Sequence, residues 1–175
     1  MIFQPTKLPG VFEIRIEPHL DERGFFARSW CQREFEEHGL NPVTVQCSIA
    51  FNEKKGTLRG VHYQSEPHPE TKLVRCTKGA VYDVVVDLRR DSPTFRQWIG
   101  VVLSADNRNT MYVPAGCGHG LLTLEDHTEV FYQMSEFYYP ELSRGVRWND
   151  PTFQIQWPWE PLVMSERDRA IPDFK

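Results

Sequence analysis

The chain has 175 residues, with 20 lysines and arginines against 24 aspartates and glutamates, so its formal net charge is -4. This length suits one well-buried core, and we treat residues 1–175 as a single domain. There is no run of basic residues to follow a phosphate backbone, so we expect no nucleic-acid partner. We also expect no membrane span or export signal, because no apolar stretch approaches about 18 residues and prolines interrupt MIFQPTKLPGVF at the N-terminus.

The four cysteines lie far apart and form no CxxC pair: Cys31, Cys47, Cys76 and Cys117. Such spacing is typical of buried thiols in a reducing compartment rather than of a disulfide framework. We therefore expect a cytoplasmic protein.

Short segments rich in β-branched and aromatic residues recur along most of the chain. They cover 11–16, 25–30, 43–51, 57–64, 72–77, 80–88, 98–103, 109–113, 119–124 and 129–135. This cadence, with Gly, Pro and Asn-Asp turns between the segments, predicts an all-β sandwich or barrel. A helix is predicted over 32–38, ending at Gly39, and a short one near 165–170. The Pro- and Trp-rich tail from Trp148 onward is expected to cover the β core as an irregular segment.

The segment TLRGVHYQ, residues 57–64, is an unusual strand because it contains an internal glycine beside an arginine and a histidine. An interior glycine weakens a strand and marks a bulge or a close approach. Strict alternation places Leu58, Gly60, His62 and Gln64 on one face and Arg59 on the other. Arg59 and His62 can serve one site only if the strand bulges near Gly60. We expect Gly60 to leave room for a ligand beside His62.

Alternation in the segment 129–135 places Tyr132 on the same face as Val130 and Met134. Tyr132 then points inward, unless Phe131 marks the buried face instead. In the segment 80–88, Asp83 faces away from its neighbours on either side.

Each of these polar residues also has an ordinary structural interpretation. A strand histidine is commonly a hydrogen-bonded structural residue, a strand tyrosine packs with a wet hydroxyl, and a strand lysine protects an edge. Ser165 to Asp168 reads SERD, which fits a capping box at a helix start. His119 lies in PAGCGHG, a motif that also suits a simple Gly-rich turn.

A metal site is the other interpretation of the histidines. His62, His68 and His119, with Glu66 or Glu70, supply ligand types that iron or zinc accepts. The spacing is poor, since no H-x-H pair projects two imidazoles from one strand face. We therefore predict no metal.

Several long blocks, taken together and in order, carry a specific resemblance. They are DERGFFARSW (21–30), LRGVHYQ (58–64), KLVRCTKGAVYDVVVDLRRDSPTFRQW (72–98), VPAGCGHGLLTL (113–124), EVFYQMSEFYYPELSRGVRWNDP (129–151), IQWP (155–158) and SERD (165–168). The chain resembles the dTDP-4-dehydrorhamnose 3,5-epimerase family. This resemblance implies a cupin-type jelly roll with a few short helices, an intertwined homodimer, and catalysis without a metal or an organic cofactor.

The resemblance also implies a substrate and four catalytic residues. The substrate class is a nucleotide-linked 4-keto-6-deoxyhexose, inverted at C3 and C5. His62 matches the base, Asp168 its carboxylate partner, Lys72 the cation that stabilises the enolate, and Tyr132 the acid on the opposite face. A histidine suits the base because its ordinary pKa lies near neutrality.

Further positions match binding residues of the family. Arg59 is expected at the diphosphate, His119 at the sugar or phosphate, and Tyr138 at the nucleotide. Arg23 and Phe26 belong to a segment that family dimers exchange. Asp83 matches a buried carboxylate expected to orient Lys72 or His62.

Two blocks depart from the family's pattern where the base of the nucleotide is read. Arg28 replaces a glutamate, and the Q-x-N-x-S block appears as QCSIA, beginning at Gln46. A CDP- or GDP-linked sugar therefore remains open as the substrate. Inversion of only one centre, a metal-binding cupin and a non-catalytic sugar-nucleotide binder remain open as other functions.

Overall fold

The computed structural model describes residues 1–174, and most of its regular secondary structure is β-strand. The strands are β1 (Ile2–Pro5), β2 (Phe12–Arg15), β3 (His19–Asp21), β4 (Gly24–Phe26), β5 (Gln46–Asn52), β6 (Thr57–Gln64), β7 (Lys72–Lys78), β8 (Ala80–Asp87), β9 (Trp98–Ser104), β10 (Thr110–Val113), β11 (Cys117–Thr123), β12 (Thr128–Met134), β13 (Ser143–Gly145) and β14 (Val163–Met164). The helices are α1 (Gln32–Glu37), α2 (Glu166–Arg169) and a 3-10 turn (Pro140–Leu142). The all-β prediction is confirmed.

Two sheets form the body of the molecule. The first has the order β1-β2-β10-β7-β12-β5, and the second β13-β6-β11-β8-β9 with β14 alongside β6. Sequence neighbours such as β5 and β6 lie in different sheets, as the crossing connections of a jelly roll require. The hairpin β3–β4 pairs only with itself.

The main core fills the space between the two sheets. Val74 and Val130 from the first sheet pack with Val81, Val85 and Leu121 from the second, and all five are fully buried. Alternation therefore holds on β12, because Tyr132 packs against this core beyond Val130. The inward orientation predicted for Tyr132 is confirmed.

The outer face of the second sheet is covered by the chain's tail. Phe153 and Ile155 pack on Val84 and Val86, which are the outward residues of β8. The irregular cover predicted from Trp148 onward is confirmed. On the outer face of the first sheet, α1 buries Phe35 in the same way.

Strand β6 carries a bulge where it pairs with β11. His62 lies opposite His119 and Arg59 lies opposite Leu121, so three steps along β6 match two along β11. The extra residue reverses the alternation between the two positions. Arg59 and His62 consequently reach the same side of the sheet, as the sequence required for a shared site.

The reason for the glycine at position 60 differs from the one expected. A Cβ there would lie 2.5 Å from the Cα of Gly120 and 2.9 Å from the carbonyl oxygen of His119. Gly60 also has φ +126°, which side chains disfavour. The missing side chain therefore makes room for the backbone of β11, and the expectation that it makes room for a ligand was wrong.

Two further expectations concerned buried thiols and membrane spans. All four cysteines are free thiols; Cys76 and Cys117 are buried, but Cys47 is exposed on β5, contrary to the expectation of buried thiols. Among residues 1–174, no helix combines the length and hydropathy needed to cross a membrane.

The bulge makes a testable prediction about Gly60→Ala. The added methyl must displace the backbone of β11, so we expect a loss of about 3 kcal/mol in the free energy of unfolding, measured by urea titration. Gly24→Ala is the matched control, because Gly24 has φ +125° but nothing within 4 Å of an added Cβ. Equal losses in the two variants would contradict the close approach.

Candidate active site

A cavity of about 730 Å³ opens between the two sheets. This size falls within the range of small-molecule sites. Its lining includes the predicted residues Arg59, His62, Lys72, His119, Tyr132, Tyr138 and Asp168. Seven positions chosen from sequence thus converge on one cavity, although they come from both sheets, from α2 and from the loop after β12.

The imidazole of His62 is held by the carboxylate of Asp168. Nε2 of His62 lies 2.5 Å from Oδ1 of Asp168, and the backbone N–H of Gly60 donates to Oδ2 at 3.4 Å. Asp168 is 4% exposed and sits in α2, which docks beside β6. When Asp168 accepts the Nε2 proton, Nδ1 of the neutral ring is left with a free lone pair.

Asp168 stays ionised well into the acid range. Its burial opposes ionisation, but the hydrogen bond and charge of His62, aided by the N–H of Gly60, outweigh this effect and lower the pKa of the carboxyl. The helix cap inferred from SERD is also present, because Ser165 Oγ accepts from the N–H of Asp168 at 3.1 Å. The cap and the histidine contact coexist, since one uses the backbone and the other the side chain.

The ammonium group of Lys72 lies at the end of β7, in the first sheet. Its Nζ is 3.0 Å from a carboxylate oxygen of Glu70 and 3.4 Å from the backbone carbonyl of His62. Both charged side chains are only 13% exposed. A cation is thereby fixed beside the histidine, across the gap between the sheets.

Tyr132 faces the second sheet from β12. Burial raises the pKa of Tyr132 far above that of an ordinary phenol, and the negative charge of Asp83 raises it further, whereas Arg59 opposes the shift. Its ring meets that of His119 edge to face, with centroids 5.9 Å apart. The hydroxyl therefore keeps its proton at neutral pH.

Asp83 does not orient Lys72 or His62, and the expectation that it does was wrong. Its Oδ1 lies 2.6 Å from Nε2 of His119, and both side chains are buried. Asp83 points inward from β8, and the neighbouring β11 carries His119. The other oxygen, Oδ2, has no hydrogen-bond partner among the described residues. The cavity wall thus contains a second histidine–carboxylate pair.

Arg59 and Tyr138 lie at the edge of the cavity, and Gln46 lies beside it. Nε of Arg59 donates to Asn52 at 2.7 Å. Tyr138 is 55% exposed at the mouth, and its backbone N–H donates to Oε1 of Gln46 at 2.7 Å. Gln46 itself does not line the cavity. Ser48 and Ala50, from the same QCSIA block, do.

The remaining predicted residues lie outside the cavity of their own chain. Arg23, on the β3–β4 hairpin, pairs with Asp21 at 2.5 Å, and Phe26 on the same hairpin is 78% exposed. Arg28 pairs with Glu34 of α1 at 2.8 Å. None of these three residues lines the cavity.

Sequence reasoning missed several polar residues of the cavity. Glu70 was considered only as a metal ligand, although it lies two residues before Lys72 in the sequence and pairs with it. Arg167 and Ser143 also line the cavity, joined by a hydrogen bond of 2.6 Å. The nearness of Arg167 to Asp168 in SERD was the available signal.

Among residues 1–174, no three His, Cys, Asp or Glu side chains are arranged to hold a metal ion. His68 is not in the cavity lining and stacks on Tyr139, with ring centroids 4.3 Å apart. The two histidines that do line the cavity are each bound to a carboxylate from a different element.

Comparison with known proteins agrees with this geometry. The profile of the dTDP-4-dehydrorhamnose 3,5-epimerase family matches residues 5–175. The chain is 45% identical over 172 residues to the dTDP-4-dehydrorhamnose 3,5-epimerase of Pseudomonas aeruginosa, which covers 97% of this chain and 94% of that protein.

Solved structures share the fold along the whole chain. The dTDP-4-dehydrorhamnose 3,5-epimerase of Bacillus anthracis, with TDP and PPi bound, superposes with a TM-score of 0.95 at 39% identity and 99% coverage of both chains. A 3′-monoepimerase of Streptomyces bikiniensis, in complex with dTDP-quinovose, gives 0.89 at 34% identity, covering 97% of this chain and 86% of the other. On the profile match, the identities and the shared fold, the chain belongs to the dTDP-4-dehydrorhamnose 3,5-epimerase family of isomerases.

Proposed function

We propose that the protein inverts C3 and C5 of a dTDP-linked 4-keto-6-deoxyhexose by removing and returning protons beside the C4 ketone. The observation that carries this proposal is the position of His62 and Tyr132 on opposite sheets, both facing one cavity. Inversion requires a base on one face of a carbon and an acid on the other.

In this mechanism His62 is the base. Asp168 accepts the Nε2 proton and fixes the ring orientation, so Nδ1 removes the proton from the substrate carbon. The carboxylate then stabilises the imidazolium that forms. The lowered pKa of Asp168 keeps this partner charged across the working pH range.

Lys72 stabilises the enolate. Removing a proton beside a ketone places negative charge on the ketone oxygen, and a fixed cation in a partly dry cavity lowers the energy of that charge. Glu70 and the carbonyl of His62 hold Nζ in one position, so little reorganisation is needed when the charge develops.

Tyr132 returns the proton from the other face. Its hydroxyl carries a proton at neutral pH, and the enolate carbon, a stronger base than a phenolate, takes that proton. The new carbon–hydrogen bond then lies on the side opposite His62, which inverts the centre. Solvent then takes the proton from His62 and returns one to Tyr132, so that the same two groups serve C3 and C5 in turn.

Binding of the nucleotide diphosphate is assigned to the mouth of the cavity. Arg59 supplies positive charge for the diphosphate, His119 meets the sugar or phosphate, and Tyr138 offers its ring to the nucleotide. The dTDP assignment is supported by the TDP held in the Bacillus anthracis relative. Arg28 and the QCSIA block starting at Gln46 are the positions that decide whether a CDP- or GDP-linked sugar is also accepted.

The free thiols support a reducing compartment, and we assign the protein to the cytoplasm on that basis. Cytoplasmic location also suits an enzyme acting on a nucleotide sugar.

The first test is exchange with solvent in D2O, with the dTDP-linked 4-keto-6-deoxyglucose as substrate and deuterium at C3 and C5 followed by NMR. Wild type is expected to label both carbons, and His62→Ala to lose exchange by a factor of at least about 10³, since no base remains. His127→Ala, which changes an exposed histidine paired with Glu53, is the control. Label at only one carbon would show a single-centre enzyme; no label with the dTDP, CDP and GDP sugars would overturn the proposal.

The second prediction concerns Asp168→Asn. We expect kcat to fall by about 10³-fold, because the amide cannot stabilise the imidazolium.

The same variant is expected to change how stability depends on pH. A carboxyl with a lowered pKa stabilises the fold above its ordinary pKa of 3.8 and ceases to do so as the pH falls through its folded value. Wild type should therefore have a larger free energy of unfolding than Asp168→Asn at pH 7, and this difference should shrink below about pH 4. A difference that grows as the pH falls would contradict this sign.

We also propose a homodimer in which each hairpin serves the partner's cavity. The hairpin exposes Leu20 and Phe26 at 81% and 78%, and the first sheet exposes Ile49 and Phe51 on its outer face. Exposed apolar groups of this kind favour association. Arg23 and Phe26 would then complete the nucleotide end of a second cavity.

Mixing two inactive variants tests this exchange. In a mixed dimer of Arg23→Ala and His62→Ala, one cavity receives both defects and the other receives neither. Random exchange of subunits is expected to restore about a quarter of wild-type activity, since half of the dimers are mixed and each has one intact site. No recovery, with subunit exchange verified by mass spectrometry, would contradict the exchanged hairpin.

A further inference from the structure

Gln64, the last residue of β6, has a buried side chain that the mechanism above does not use. It is 3% exposed and lies two residues beyond His62. It also borders the cavity. A buried amide is unfavourable unless its hydrogen bonds are made, so its partners indicate its role.

All the hydrogen-bond partners of the Gln64 side-chain amide are backbone groups of two loops. Nε2 donates to the carbonyl of His68 at 2.6 Å and to that of Phe137 at 3.0 Å. Oε1 accepts the N–H of Tyr139 at 2.9 Å. The reverse orientation of the amide would set an oxygen against two carbonyls, so the contacts fix it. Both amide hydrogens are used, and neither is left for a ligand.

The two loops carry cavity residues of different kinds. The first, residues 65–71, holds Glu70 and leads directly into Lys72. The second, residues 135–139, holds Tyr138 at the mouth. Gln64 therefore lies between the enolate-stabilising pair and the residue assigned to the nucleotide.

The loops also contact each other above Gln64. Thr71 and Ser135 exchange hydrogen bonds of 2.8 Å and 3.0 Å, and the rings of His68 and Tyr139 stack. The sheet itself does not need the amide, since β6 pairs with β11 and β13 through its backbone. Gln64 supplies hydrogen bonds where the loop backbones have no ladder to join.

We propose that Gln64 is a positioning residue that couples the two ends of the active site, holding the 65–71 and 135–139 loops so that the Glu70–Lys72 pair and Tyr138 take up their places together. This inference rests on the proposed function for its kinetic consequence. Loss of the amide displaces both loops at once. It therefore weakens nucleotide binding through Tyr138 and slows enolate formation through Lys72.

Two substitutions separate the contacts. Gln64→Met keeps the length of the side chain and removes all its hydrogen bonds. Gln64→Glu keeps an acceptor for the N–H of Tyr139 but places oxygen against the carbonyls of His68 and Phe137. The control is Thr128→Val, which removes one buried hydrogen bond, from Oγ1 to the carbonyl of Glu125, at the far end of β12.

The measurements are steady-state kinetics, TDP affinity by calorimetry, and amide hydrogen exchange of the free protein. For Gln64→Met we expect KM and the TDP Kd to rise about tenfold and kcat to fall about tenfold, as loss of hydrogen bonds of ordinary strength implies. Exchange at the Tyr139 amide should quicken at least about tenfold in Gln64→Met, and by a smaller factor in Gln64→Glu, which keeps the acceptor but loses both donors. Thr128→Val should lose stability with unchanged kinetics.

Gln64→Met with normal KM and kcat, and with a stability loss like that of Thr128→Val, would show a purely structural residue and overturn the proposal. If Gln64→Met does not fold, Gln64→Glu with unchanged kcat and TDP affinity overturns it equally. Failure of wild type to turn over any of the nucleotide sugars would sink the proposed function instead. In that case, unchanged Tyr139 exchange in Gln64→Met refutes the holding role and faster exchange supports it.

Discussion

The close approach of β6 to β11 at Gly60 is the constraint on which the active site depends. An ordinary strand would turn Arg59 and His62 to opposite faces. The bulge brings both to the cavity, and the absence of side chains at Gly60 and Gly120 leaves room for the two backbones to meet there. The bulge weakens the strand at this point but places two side chains in one site. Bulges beside active sites commonly re-aim side chains in this way.

The charged and polar groups of the cavity are held by partners from distant elements. Asp168 comes from the tail to His62, Asp83 comes from the next strand to His119, and Gln64 secures both loops. Each contact fixes a group before substrate arrives. Groups fixed in this way need not reorganise as charge develops, which is the main source of electrostatic catalysis. Residues from both sheets and from the tail therefore hold the polar groups of the cavity in place before the substrate binds.

The sequence was a good guide wherever local periodicity decides the structure. The core strands, α1, the tail cover and the inward orientation of Tyr132 follow from alternation, from Gly39 as a helix stop and from the aromatic pattern. The sequence did not predict the bulge itself. It predicted only that Arg59 and His62 could share a site if the strand bulged between them. The partner of Asp83 was predicted wrongly, because strand order, which no periodicity encodes, decides that β8 lies beside β11 rather than β6. Glu70 and Gln64 were missed for a related reason, since their contacts arise where loops from both sheets meet. Only the family resemblance predicted that the catalytic residues share one site. The structure then gave the distances between them.

The central claim is that His62 and Tyr132 act from opposite faces of the sugar. Following deuterium uptake and epimer ratio together in Tyr132→Phe tests it most directly. The predicted result is uptake at C3 and C5 near the wild-type rate with little inversion, because His62 still removes a proton and, after exchange with D2O, returns a deuteron from its own side. Uptake and inversion that fall in equal proportion, or inversion at the wild-type rate, would contradict the account.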